Sequence, residues 1–150
     1  MDDVEIIRKV RKEHETLAGI TAELEAAVES PASGNPGAWL EKVTDKFEHF
    51  RAHLIHRIAL EEMGGFLNIV VERNPTLATQ VEHLRHTHQG MIEAAGDTMS
   101  SLRKLNAAQG KAVDEAVLLV KMALSEVAAQ EQAEALLVSF VFTQEIGVGD

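Results

Sequence analysis

His14, Arg57, Glu61, His88, Glu131 and Glu134 stand where helical apolar stripes should continue. Imidazoles and carboxylates are side chains that bind divalent metals, and imidazole also exchanges protons near neutral pH. A helix seldom turns such groups toward a core without a partner, a metal or a function. The chain contains no cysteine, which excludes disulfides, thiolate metal sites and cysteine nucleophiles. Any metal would therefore be held by imidazole and carboxylate.

One arginine set against three glutamates leaves the group with about two uncompensated negative charges when the histidines are neutral. A single divalent cation would neutralise it, and so would protonation of both His14 and His88. Both routes are open from the residues alone. Arg57 cannot ligate a cation and repels one. It reads as an internal cation, forking onto Glu61 four residues later and onto the last helix.

His49, His53 and His56 form a second set with i, i+4, i+7 spacing, which can chelate zinc or nickel on one helix face. That face is rotated away from the inward line, so solvated histidines are the plainer reading. His53 lies nearest the core and could flank the interior set. His83 and His86 fall nearly opposite His88, on the outer surface.

Four elements must position these residues. Pro31 to Gly37, Asn74-Pro75 and Asn106 to Gly110 punctuate an otherwise helical pattern. They leave amphipathic segments over about 2–30, 38–73, 76–106 and 111–146. Short connections between long helices make neighbours antiparallel, so the expectation is an all-α, up-down-up-down four-helix bundle in one domain, 1–150. The first segment turns inward Ile7, Val10, His14, Leu17 and Leu24, and the third Val81, Leu84, His88, Met91 and Ala95. The fourth does so with Val113, Val117, Val120, Leu124, Val127, Glu131, Glu134, Val138 and Val141. In the second, Arg57 and Glu61 continue the face of Phe47, Phe50 and Leu54, while Gly64-Gly65 calls for a bend or a close helix approach. At about 1.5 Å per residue, Glu61 and His88 each lie roughly 18 Å from the Asn74-Pro75 turn. His88 and Glu131 each lie roughly 30 Å from the Asn106 to Gly110 turn. The six polar residues therefore converge on one layer.

Net charge narrows the partners. At −10 over 150 residues, the chain lacks the basic surface that nucleic acid or an anionic membrane requires. The acidic, amphipathic start is unlike a signal peptide, and no run of about 18 apolar residues occurs. A cytoplasmic protein is expected, with an unknown protein partner open. Ile55, Phe66 and Phe140 lie off the main stripes and are too scattered to define a dimer face.

The residues around the layer resemble those of hemerythrin-like, HHE cation-binding domains. The resemblance rests on Glu13-His14-Glu15, on Leu60-Glu61-Glu62 followed by Gly-Gly, on a lone His88, and on Gln130-Glu131-Gln132-Ala133-Glu134. It covers nearly the whole chain through short motifs. It implies a four-helix bundle with a non-haem di-iron centre, His14 and His88 as ligands, and Glu61 and Glu134 as bridging carboxylates. The chain departs from that pattern at three histidine positions, where Arg57, Gln130 and Ile92 stand instead.

The leading expectation is thus a hemerythrin-like domain with a degenerate site. It would be a sensory, accessory or interaction module rather than an enzyme, binding no metal or one divalent ion. Its metal candidates are His14, Glu61, His88, Glu131 and Glu134, flanked by Arg57, Gln130 and His53. The alternative is a non-haem iron protein that reacts with oxygen or peroxide. A third reading is a histidine-rich metal-binding protein using the outer set.

Overall fold

The computed structural model describes residues 2–30 and 34–147, with side chains as far as Leu137 and at Ser139. Pro31 to Ser33 of the expected loop, and the expected inward side chains Val138 and Val141, lie outside the described residues, as does the side chain of Phe140. Five α-helices are present: α1 (Asp3–Glu29), α2 (Pro36–Glu62), α3 (Phe66–Arg73), α4 (Ala78–Lys104) and α5 (Ala112–Gly147). A 3-10 turn, Pro75–Leu77, precedes α4. No strand occurs among the described residues. No helix among them is long and apolar enough to cross a membrane.

Local chemistry sets the helix starts. Asp2 Oδ1 accepts from Glu5 N at 2.9 Å at the head of α1. Asn35 Oδ1 accepts from Ala38 N at 3.0 Å, with Pro36 in the first helical position. Each satisfies a backbone donor that the helix itself leaves unpaired. The α1 end is tied to the α2 start by Trp39, whose indole Nε1 donates to Ala27 O at 3.2 Å and Ser30 O at 2.9 Å.

The expected single helix over 38–73 is broken. α2 stops at Glu62, and a new eight-residue helix starts at Phe66. The two glycines make the break. A Cβ on Gly64 would sit 2.3 Å from Leu60 O, and Gly65 adopts φ +90°, a left-handed conformation that glycine adopts without the steric cost of a Cβ. The freed α3 packs against α1, α2, α4 and α5 and buries Phe66, Leu67, Ile69 and Val70. Phe66 is thus a core residue and no part of a surface patch.

The four long helices pack in a cycle, α1 on α2, α2 on α4, α4 on α5, and α5 back on α1. Their interior contains two apolar clusters. The larger holds Leu17, Leu24, Phe47, Phe50, Leu54, Met91, Val120 and Val127, among others. The smaller gathers Ile7, Val10, Val81, Leu84 and Leu137 around α3. On α5 the inward register differs from expectation at its start. Ala112 and Ala116 are buried, whereas Val113 and Val117 are only partly so. α5 is apolar on more than one side there, so periodicity alone did not settle which residues face in.

Candidate functional site

On every long helix the polar residues sit between the two apolar clusters. His14 separates Val10 from Leu17, Arg57 and Glu61 follow Leu54 and precede Phe66, and His88 separates Leu84 from Met91. Glu131 and Glu134 fall between Val127 and Leu137. The result is a polar layer to which four helices contribute.

All six expected residues meet in it. His14 Nε2 lies 2.7 Å from Glu61 Oε1 and 3.8 Å from Glu134 Oε2, while its Nδ1 lies 3.1 Å from Glu131 Oε2. Both ring nitrogens face carboxylates, and only a doubly protonated ring can donate to both. Burial pulls the His14 pKa down, but hydrogen bonds to Glu131 and Glu61, with their charges, outweigh it and hold the value above 6.5. Glu61 shows the reciprocal effect. Burial pushes its pKa up, yet hydrogen bonds from His14 and His88 and the Arg57 charge bring it from 4.5 to about 2. His88 is fully buried, with Nε2 against Glu134 and 3.3 Å from Glu61 Oε2, and Nδ1 3.3 Å from Glu62 Oε2.

Arg57 lies at the centre of the layer and is 0% exposed. Its Nη1 contacts Glu134, lies 2.6 Å from Glu131 Oε1 and is 3.8 Å from Glu61 Oε1. Nε and Nη2 have no hydrogen-bond partner among the described residues. The guanidinium is therefore held by charge through one nitrogen and not by a full set of hydrogen bonds. Arg57 and a doubly protonated His14 stand against Glu61, Glu131 and Glu134, which leaves one negative charge among these five groups.

The donor set has the chemistry for a divalent ion in two overlapping places. His14, Glu131 and Glu134 form one triad, and Glu61, His88 and Glu134 another, each with ligand atoms within 4.8 Å of one another. The guanidinium opposes cation binding here, and a second ion more than a first. A divalent ion about 4 Å from the guanidinium would meet a repulsion of roughly 8 kcal/mol at an effective dielectric constant of about 20, and a second ion would add to it. The residues at the other departures do not supply ligands either. Gln130 Oε1 accepts from Thr87 Oγ1 at 3.4 Å, and Ile92 packs against the larger apolar cluster.

The layer reaches the surface on one side. A groove of about 800 Å³ runs between α1 and α5, lined by Arg11, His14 and Ala18 on one wall and Glu131, Leu136 and Ser139 on the other. His14 and Glu131 are the layer residues that face it.

Two residues were missed. Glu13 is buried on α1, and His53 Nδ1 bonds to its Oε1 at 2.8 Å. His53 accordingly pairs with α1 and does not flank the interior set. Glu62 closes the layer at His88. The doublets Glu13-His14 and Glu61-Glu62 carried the signal, since adjacent helical residues straddling a buried seam can both be partly enclosed. His83 and His86 are exposed, as expected. Comparison with known proteins finds no matching family model, no matching curated protein and no matching solved structure.

Proposed function

We propose that this chain is a hemerythrin-like, up-down-up-down four-helix bundle in which an internal arginine supplies the positive charge that a metal centre would otherwise provide. It acts as a sensory, accessory or interaction module, metal-free or with one divalent ion, and is not a dioxygen carrier. The observation that carries this reading is Arg57, fully buried and in contact with both Glu131 and Glu134. A guanidinium cannot bind oxygen or change oxidation state, and its charge opposes a two-metal centre. The groove along α1 and α5 gives the layer an outlet at His14 and Glu131, where a partner or small ligand could read its charge state.

A second reading is a single-iron protein reacting with oxygen or peroxide. It is favoured by the sharing of Glu134 between the two candidate triads. An ion bound there would supply redox or Lewis-acid chemistry. The residues of this chain would orient it, with Arg57 repelling it and stabilising nearby anionic oxygens.

Metal analysis separates the two. Protein purified without an affinity tag is loaded anaerobically with ferrous iron, desalted and counted. The proposal expects at most one iron per chain in the layer and no turnover of peroxide by the loaded protein, which the second reading expects. It also expects Arg57→His with Gln130→His to raise that number. Two irons per chain in a His56→Ala background, which leaves the layer intact, or unchanged iron in a folded double variant, would overturn it.

A further inference from the structure

Outside the layer, one other cluster among the described residues brings metal-ligating atoms together. His53 and His56 stand side by side on α2 as an i, i+3 pair, and both rings turn toward α1. His53 Nδ1 lies 2.8 Å, and His56 Nδ1 3.4 Å, from the same oxygen, Glu13 Oε1. One ligand atom from each residue lies within 4.8 Å of the other two. Glu13 is buried, whereas the His56 side chain is 58% exposed, so the cluster is anchored on the protein and open to solvent. A cation shared among the three groups would balance the Glu13 charge. A tetrahedral ion with ligands at about 2.0–2.1 Å holds its ligand atoms roughly 3.3 Å apart. The 2.8 and 3.4 Å separations bracket that value.

We infer that Glu13, His53 and His56 form a second metal site, separate from the interior layer, for one zinc-like divalent ion. Two imidazole nitrogens and one carboxylate oxygen supply three ligands, and water takes the fourth position. Magnesium and calcium are disfavoured because they select oxygen donors, and only one donor here is oxygen. His49 does not complete a single-face chelate. It packs edge-on against His53, with ring centroids 4.7 Å apart, and restricts that ring. The third ligand comes from another helix, so ion binding ties α1 to α2.

The test is a titration of the untagged full chain with cobalt(II), followed by visible absorption of the tetrahedral ion, with zinc as competitor. One equivalent is expected, together with a rise in melting temperature when zinc is added. His56→Ala, at an exposed position, and Glu13→Gln should each weaken binding at least about tenfold and remove the zinc-dependent rise. His86→Ala should leave both unchanged. Absence of binding, unchanged affinity in His56→Ala, or a loss that follows Glu61→Gln instead would overturn the assignment. Because the site shares no residue with the layer, its failure leaves the interior reading intact.

Discussion

Arg57→Met removes the buried guanidinium while keeping most of its aliphatic stem, and so isolates the charge. Arg57 is the buried lysine or arginine among the described residues. The variant leaves Glu61 and Glu134, 1% and 2% exposed, without their guanidinium and with His14 as the remaining cation. Breaking a buried charge pair from one side costs about 3–5 kcal/mol, because the stranded charge stays out of water. A chain of this length loses about 2–4 °C of melting temperature per kcal/mol, so the drop should be on the order of 10 °C at pH 7 in chelator. The deficit should shrink at pH 5, where a carboxyl freed of its cation takes up a proton. Arg57→Met with Glu134→Gln should melt above Arg57→Met alone, since removing both members of a buried pair costs less than removing one. Circular dichroism melts read all three. A single variant within about 2 °C of the unaltered protein would refute the claim that Arg57 carries the charge balance of the layer. So would a double variant whose loss is the plain sum of the two singles.

Further outcomes follow from the same geometry. His14 has a raised folded pKa, so its stabilisation is complete below 6.5 and disappears as pH rises through the folded value. Glu61 has a lowered one, so its contribution is complete above 4.5 and is lost as pH falls toward about 2, a loss of roughly 3 kcal/mol. Urea midpoints in chelator should therefore peak between pH 4.5 and 6.5, and His14→Gln should flatten the alkaline limb; stability that climbs from neutral into mildly alkaline pH would contradict this. Gly64→Ala should destabilise by about 1–3 kcal/mol, since its methyl meets the Leu60 carbonyl. Gly19→Ala, mid-helix with nothing within 4 Å, should stabilise by up to about 1 kcal/mol. Thermal melts that rank these two glycines the other way would count against the helix break described at residues 64–65.

The convergence of six polar residues was legible because each interrupts a stripe of period 3.6, and helical rise converts sequence distance into depth. For Glu61 the count back from Asn74 runs across the break in α2 and so is not a helical rise; Glu61 reaches the layer because it continues the buried face of Phe50, Leu54 and Arg57 on α2 itself. The break itself was only half legible. Two consecutive glycines signal a bend, but the depth of Phe66 depends on α3 folding across the end of four other helices. Glu13 was hidden for a different reason. Val10, Glu13 and Leu17 fit a helical seam as well as Val10, His14 and Leu17 do, and only the position of α2 assigns one residue to His53 and the other to the layer. On α5 the valine-rich start allows two registers, and packing selects the alanines.

The separation of the apolar interior into two clusters bears on how the molecule opens. A polar stratum between them weakens the coupling that continuous hydrocarbon packing would supply, so the smaller cluster around α3 can part as its own cooperative unit. Such an opening would expose His88 and Glu134 without melting the larger cluster. Amide exchange should then be faster in α3 and in the first turns of α1 and α4 than around Phe47 and Leu24. Trp39, the chain's single tryptophan, packs against the larger cluster, so its fluorescence would stay silent while that end breathes.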